Sequence, residues 1–275
     1  MTVVLALASA LCFAVADLCN ARISRRAPLL SALPWVLLVG LVVAAPVALL
    51  VDRPLGDGGW SAAAAASLGG ITNLIGLMAL LAALRRGNLS VIAPLTALEG
   101  GIGALIALVG GERITSAALV GLALAVVGGV LTATERGRRT AAGAGWALAA
   151  AGCFGVTFNL YGAAGALSAF GVVAAARLTG LAIAIPAALG GAGLRLPSHV
   201  RPLVLASGLL ETVGFIMVAA ALALGPVSVA SVLTAQFATF AVLLGILFLN
   251  ERPARHQLVG IVVTLVAVSM LAATS

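Results

Sequence analysis

In a chain of 275 residues, 63% are hydrophobic and only 8% are charged, whereas a soluble domain carries roughly a quarter of its residues charged. A water-soluble fold is excluded on that ground. The net charge of +7 is carried by arginines in short breaks between apolar runs, so it reads as a topology signal and not as a nucleic-acid surface.

The first apolar run, 2–20, has no basic stretch before it and leads straight into Arg22, Arg25 and Arg26. It is read as a permanent span and not as a cleaved leader, and it carries Asp17. The second run is 29–51, and the third, 60–84, carries Asn73. The fourth, 89–109, contains Pro94 and then Glu99 within Ala97-Leu98-Glu99-Gly100-Gly101. The fifth is 114–133. After a polar link, 135–140, come 142–161 with Asn159, 168–190 with Arg177, and 200–223 with Glu211. The last two are 226–248 with Gln236, and 255–273. Most approach the roughly 20 residues that cross a hydrocarbon core. Backbone groups in lipid must be satisfied within their own segment, so the runs are predicted to be helices. The expectation is an all-α membrane protein of ten transmembrane helices.

Residues 87–97 (GNLSVIAPLTA) and 225–235 (GPVSVASVLTA) repeat one another, Glu112-Arg113 matches Glu251-Arg252, and Gly70 and Gly76 match Gly208 and Gly214. Cys12-Phe13 likewise matches Cys153-Phe154. The order is constant, so the chain reads as two repeats, 1–137 and 138–275. Five spans per repeat is an odd number, so the second repeat enters the membrane in the opposite sense around a shared central cavity. The arginines test this count. Twelve fall in the odd-numbered loops and only Arg53 and Arg113 in the alternate ones. By the positive-inside rule both termini lie outside a multi-pass plasma-membrane protein.

Polar side chains deep in spans are expensive and default to function. Glu99, Glu211, Asp17, Asn73, Asn159, Gln236 and Arg177 are therefore the candidate substrate- or proton-binding residues. Asn73 and Glu211 stand at equivalent repeat positions. Glu99 is the leading candidate, because the glycines beside it allow close approach and a carboxyl there can exchange a proton. Arg177 needs an acidic partner such as Glu211, or an anion. Pro94 removes one helical hydrogen bond and is a candidate hinge. Tyr161, Trp35 and Trp146 read as an interfacial aromatic belt. The Glu-Arg pairs read as helix-start determinants. Cys12, Cys19 and Cys153 form no CxxC motif, so no metal site is expected, and no cofactor or enzymatic constellation is found.

The order Gly-x-x-Ser-Val, then Gly/Asn-Glu-Arg, then a glycine-containing helix occurs as Gly87 to Gly121 and again as Gly225 to Gly260. It resembles the EamA-domain branch of the drug/metabolite transporter superfamily, across essentially the whole chain. Ala16-Asp17 with Arg25-Arg26, and Ala176-Arg177-Leu178, resemble one subgroup. The resemblance implies two inverted five-helix repeats with helices 1, 3, 4, 6, 8 and 9 lining a cavity and helices 5 and 10 peripheral. Members commonly keep both termini in the cytoplasm, a point on which the arginine count here differs. The function implied is secondary transport of a small polar metabolite or drug-like amine, read as export. The partners are that small molecule, the lipid bilayer and protons, with no nucleic acid, in a monomer or homodimer. A passive facilitator or an uptake permease without proton coupling is the alternative.

Overall fold

The computed structural model describes residues 1–24, 26–52, 59–86, 92, 95–134, 143–191, 193–237, 239–240, 242–244 and 254–274. Among them every regular element is helical. In chain order these are α1 (Thr2–Ser24), α2 (Leu29–Val51), α3 (Gly59–Arg86), α4 (Glu99–Val109) and α5 (Ser116–Ala133). They continue as α6 (Ala144–Ala163), α7 (Ala169–Leu189), α8 (Arg201–Leu224), α9 (Val227–Thr234) and α10 (Arg255–Thr274). Seven of the described helical segments are long and apolar enough to cross a membrane: α1, α2, α3, α5, α7, α8 with the 3₁₀ turn before it, and α10.

The helices are apolar on every side, and side-chain size sorts inside from outside. The interior is built mostly from alanine, glycine and valine: Ala14, Ala66, Ala125, Ala147, Ala150 and Ala267 are fully buried. The outer surface is leucine, isoleucine and valine, with Leu49 and Leu50 more than 80% exposed and Val42, Leu105, Leu178 and Val262 about 60% exposed. Water would not tolerate such a continuous apolar surface. Lipid removes the drive to bury leucine, so small residues that let backbones approach take the interior instead.

Helices from the first five pack mainly on helices from the last five. α1 lies antiparallel to α8, since Thr2, Phe13 and Asn20 meet Gly225, Gly214 and Ser207. α3 lies antiparallel to α6 in the same way, with Gly69, Gly76 and Ala83 against Tyr161, Phe154 and Gly143. Two of the three contacts correspond residue for residue, Phe13–Gly214 with Phe154–Gly76 and Asn20–Ser207 with Tyr161–Gly69. A Cβ on Gly214 would come within 2.8 Å of the Phe13 ring, and one on Gly76 within 2.7 Å of the Phe154 ring. α2 runs antiparallel to α7, α4 to α9 and α5 to α10. In the last pair a Cβ on Gly128 or Gly260 would strike the hydroxyl of Thr264 or Thr132, so glycine sets the helix separation there.

The sequence predicts continuous helices over 89–109 and 226–248. The structure corrects both: each is broken, and at equivalent positions. Ala97–Leu98 and Ala235–Gln236 are turns. Leu98 N–H donates to Leu95 O (3.4 Å) and Gln236 N–H to Leu233 O (3.2 Å), three residues back where an α-helix reaches four. In the second break the side chain compensates. Gln236 Nε2 donates to Val232 O at 3.2 Å, the carbonyl that the helical Gln236 N–H would otherwise have served. A glutamine at this position therefore keeps the broken backbone satisfied in apolar surroundings.

Candidate functional site

α2, α3, α6, α7 and α8 line a cavity of about 40 Å³, room for about three water molecules. Its polar lining is Asn73 of α3, Tyr161 of α6, Arg177 of α7 and Glu211 of α8, and Phe215 forms part of its wall. Asn73 and Glu211, equivalent in the sequence repeat, thus face one space.

Arg177 is 4% exposed. Its guanidinium lies 4.9 Å from the centre of the Phe215 ring, within range of a cation–π contact. Its Nη2 stands 3.6 Å from Glu211 Oε2. A charge buried in a span must find a counter-charge, and this pair supplies it. The guanidinium is accommodated because residue 40 has no side chain: a Cβ on Gly40 would lie 2.8 Å from Arg177 Nε.

The pair is electrostatic without being hydrogen-bonded, and buried Nη2 has no hydrogen-bond partner among the described residues. The reason lies on the far side of Glu211. Its Oε1 accepts from Asn20 Nδ2 at 3.0 Å, and Ser207 Oγ lies 3.3 Å from the same oxygen. Ser207 has one hydroxyl proton, and Asn20 Oδ1 is closer, at 2.6 Å. One carboxylate oxygen is therefore anchored to α1, while the other is held short of the guanidinium. An unsatisfied buried donor costs about 1–3 kcal/mol, so a ligand oxygen or a closer carboxylate would gain that much by reaching it.

The other predicted residues lie elsewhere. Asn159 Nδ2 donates to Gly103 O (2.9 Å) and Gly155 O (3.0 Å), joining α6 to α4. Gln236, 2% exposed, donates to Ala125 O on α5 at 3.0 Å. Its Oε1 accepts from Thr239 at 3.2 Å and lies 3.4 Å from the Thr264 hydroxyl of α10. Glu99 is 8% exposed and opens α4 just after the first break, where a carboxylate meets the positive end of a helix. None of the three is in the cavity lining among the described residues. Asp17 lies on α1, but its side chain is outside the described residues, and so is Pro94.

Three expectations change. Tyr161 is not at the interface: it is 4% exposed, packs on Gly69 and lies edge-on to Phe215 at 6.1 Å. Trp35 and Trp146 are exposed. The described lining takes in α2 and α7 and leaves out α1, α4 and α9, whereas the resemblance implied helices 1, 4 and 9 and not 2 or 7. Gly40 and Gly180 bring α2 and α7 together at the centre, which carries Arg177 inward. Glu112 does not cap its own helix, because Thr115 accepts from Ala118 N–H at the start of α5. It reaches α9 instead. The sequence reading also passed over Asn20, Ser207 and Phe215. Asn20 had a readable signal, one turn beyond Asp17. Ending the first span at residue 20 put it at the interface, whereas α1 continues to Ser24.

The EamA-like transporter family profile matches this chain twice, over residues 1–134 and 141–273. A solved structure titled only "Crystal structure of protein" is similar in fold, with a TM-score of 0.80 at 17% identity. The alignment covers 98% of this chain and 95% of that one. None of the curated proteins matches in sequence.

Proposed function

The chain belongs to the EamA-like transporter family, and on that premise we propose that it is a secondary transporter that moves a small polar solute by alternating access around the Arg177–Glu211 cavity. The carrying observation is a charge pair left short of hydrogen bonding at a cavity: the buried Arg177 Nη2 is 3.6 Å from Glu211 Oε2 and has no hydrogen-bond partner among the described residues. A purely structural pair would gain by closing that gap. The cavity is too small for a metabolite in this state, so the helices around it must part to load one.

In this reading ten helices form two repeats, 1–137 and 138–275, inverted about an axis in the membrane plane. The double family match and the antiparallel pairing of α2 with α7, α4 with α9 and α5 with α10 support it. Glu211 is the carboxyl that exchanges a proton or meets an amine, Arg177 holds it or an anionic group of the solute, and Asn73 orients the solute. Asp17 shares α1 with Asn20. Asn159 and Gln236 tie helices together, and Glu99 supports the broken α4. The arginine distribution favours both termini outside, and the direction read for the solute is export across the plasma membrane.

The test begins by comparing metabolites inside and outside cells with and without the gene, then measures flux of the identified solute in proteoliposomes. Saturable flux that depends on a proton gradient is expected. Glu211→Gln should remove that dependence and Glu99→Gln should retain it. Flux indifferent to the gradient would convert the reading to a facilitator, and no protein-dependent flux of any solute would refute it.

A further inference from the structure

Two carboxylates outside the cavity make contacts that transport around Arg177 and Glu211 does not yet use. Asp52 caps the C-terminus of α2. Its Oδ1 accepts from Ser168 N–H at 2.7 Å and its Oδ2 from Ser168 Oγ at 3.0 Å. Ser168 is the N-cap of α7. Glu112, in the loop between α4 and α5, accepts from Val227 N–H at 2.6 Å and Ser228 N–H at 3.0 Å, and from the Ser228 hydroxyl. These donors form the first turn of α9.

Both contacts therefore join an acid among the first five helices to a helix N-terminus among the last five. All four segment ends, those of α2, α7, α4 and α9, lie on one face of the bundle, because successive helices alternate in direction. Thr2 packs on Gly225 at the same face. α2 and α7 are cavity walls, and α9 follows α8, a third wall, after Gly225 and Pro226. The two carboxylates thus pin the ends of three of the five cavity helices, directly or through one short link.

Neither acid forms an ion pair among the described residues. Each is only partly buried, and its partners are amides and hydroxyls. Charge-assisted hydrogen bonds to a helix start are strong while formed. At a membrane face water can replace those donors when they separate, so the net cost of release is modest. That combination suits a contact broken once per cycle better than a permanent staple.

We propose that Asp52–Ser168 and Glu112–Ser228 are the latches that hold the cavity closed at the face bearing the N-terminus. The proposal rests on the transport reading above. Opening toward that face requires both carboxylates to leave the helix starts of α7 and α9.

The test uses the full chain with Cys12, Cys19 and Cys153 replaced by serine and Leu37→Cys as a reporter in the cavity wall. The protein is placed in proteoliposomes and a membrane-impermeant charged maleimide is applied to each face in turn. A tag on residue 1 identifies the latch face. Asp52→Asn with Glu112→Gln should raise labelling from that face about tenfold, since an amide cannot accept from all of these donors. Ser168→Ala with Ser228→Ala leaves both carboxylates and the amide donors, removes the two hydroxyl donors together with the Ser168 cap on Gly171 N–H, and should raise it about threefold. The alanine pair keeps the test valid if the amide pair lowers the yield of folded protein, which thermal unfolding in micelles reports. Unchanged labelling from the latch face in both pairs, with labelling from the opposite face intact, overturns the latches and leaves the transport reading standing. A reporter reached from neither face in any variant overturns both.

Discussion

Arg177 with Glu211 and Gln236 with Thr264 are both buried polar clusters in the middle of an apolar bundle, yet they are built to opposite ends. Gln236 uses both ends of its amide: Nε2 serves two carbonyls, Ala125 O and Val232 O, while Oε1 faces the Thr239 and Thr264 hydroxyls. It is not among the described residues that line the Arg177–Glu211 cavity. Arg177 touches a cavity, leaves a buried nitrogen without a partner among the described residues and stands 3.6 Å from its counter-ion. A polar group with its bonding capacity filled holds backbone in place. One with capacity to spare is free to answer a ligand. Cost of burial alone, the criterion available from sequence, does not separate the two.

Four measurements sharpen or break this contrast. The largest effect is expected at the charge pair. Arg177→Met strands the Glu211 carboxylate and should destabilise the protein by about 3–5 kcal/mol in micelle unfolding, with flux abolished. Adding Glu211→Gln should restore most of the stability and none of the flux. A double variant that transports normally would make the pair structural. At the α5–α10 seam, Gly128→Leu should cost about 1–3 kcal/mol by overpacking and leave the affinity for solute unchanged, because the seam is remote from the cavity lining. Gln236→Leu should cost about 2 kcal/mol through the carbonyls it strands, with flux per folded molecule close to normal. If that flux collapses, the broken helix belongs to the site. The smallest pair compares two asparagines. Asn73→Ala should lower solute affinity while shifting stability by less than about 0.5 kcal/mol. Asn159→Ala should cost about 1 kcal/mol and spare affinity. An exchange of these outcomes would invert the assignment.

Much of the molecule is legible in the sequence. Apolar runs of spanning length located the helices, and the glycines matched between the two parts of the chain, Gly76 and Gly214 among them, stand in the structure where rings pack against a helix. Asn73 and Glu211 were paired by the repeat alone. Arg177 demanded an acid because a lone charge in lipid is prohibitive. What could not be read was local satisfaction. Glu99 and Glu211 have similar neighbours in sequence, and only one lines the cavity. Tyr161 stands at the end of its run, which suggests the interface, but its ring packs inward against Gly69 and Phe215.

Composition and periodic repetition determined that this chain is a helical membrane protein made twice over, because lipid imposes length and apolarity on each span separately. Tertiary structure decided which polar groups are spent on neighbouring backbone and which face a cavity. It also decided that two helices break at matching turns and that Asp52 and Glu112 reach across to α7 and α9. Those outcomes depend on differences of a few tenths of an ångström in the separation of residues more than 100 positions apart in the chain, as Glu112 and Ser228 are. Span-by-span energetics carries no information about them.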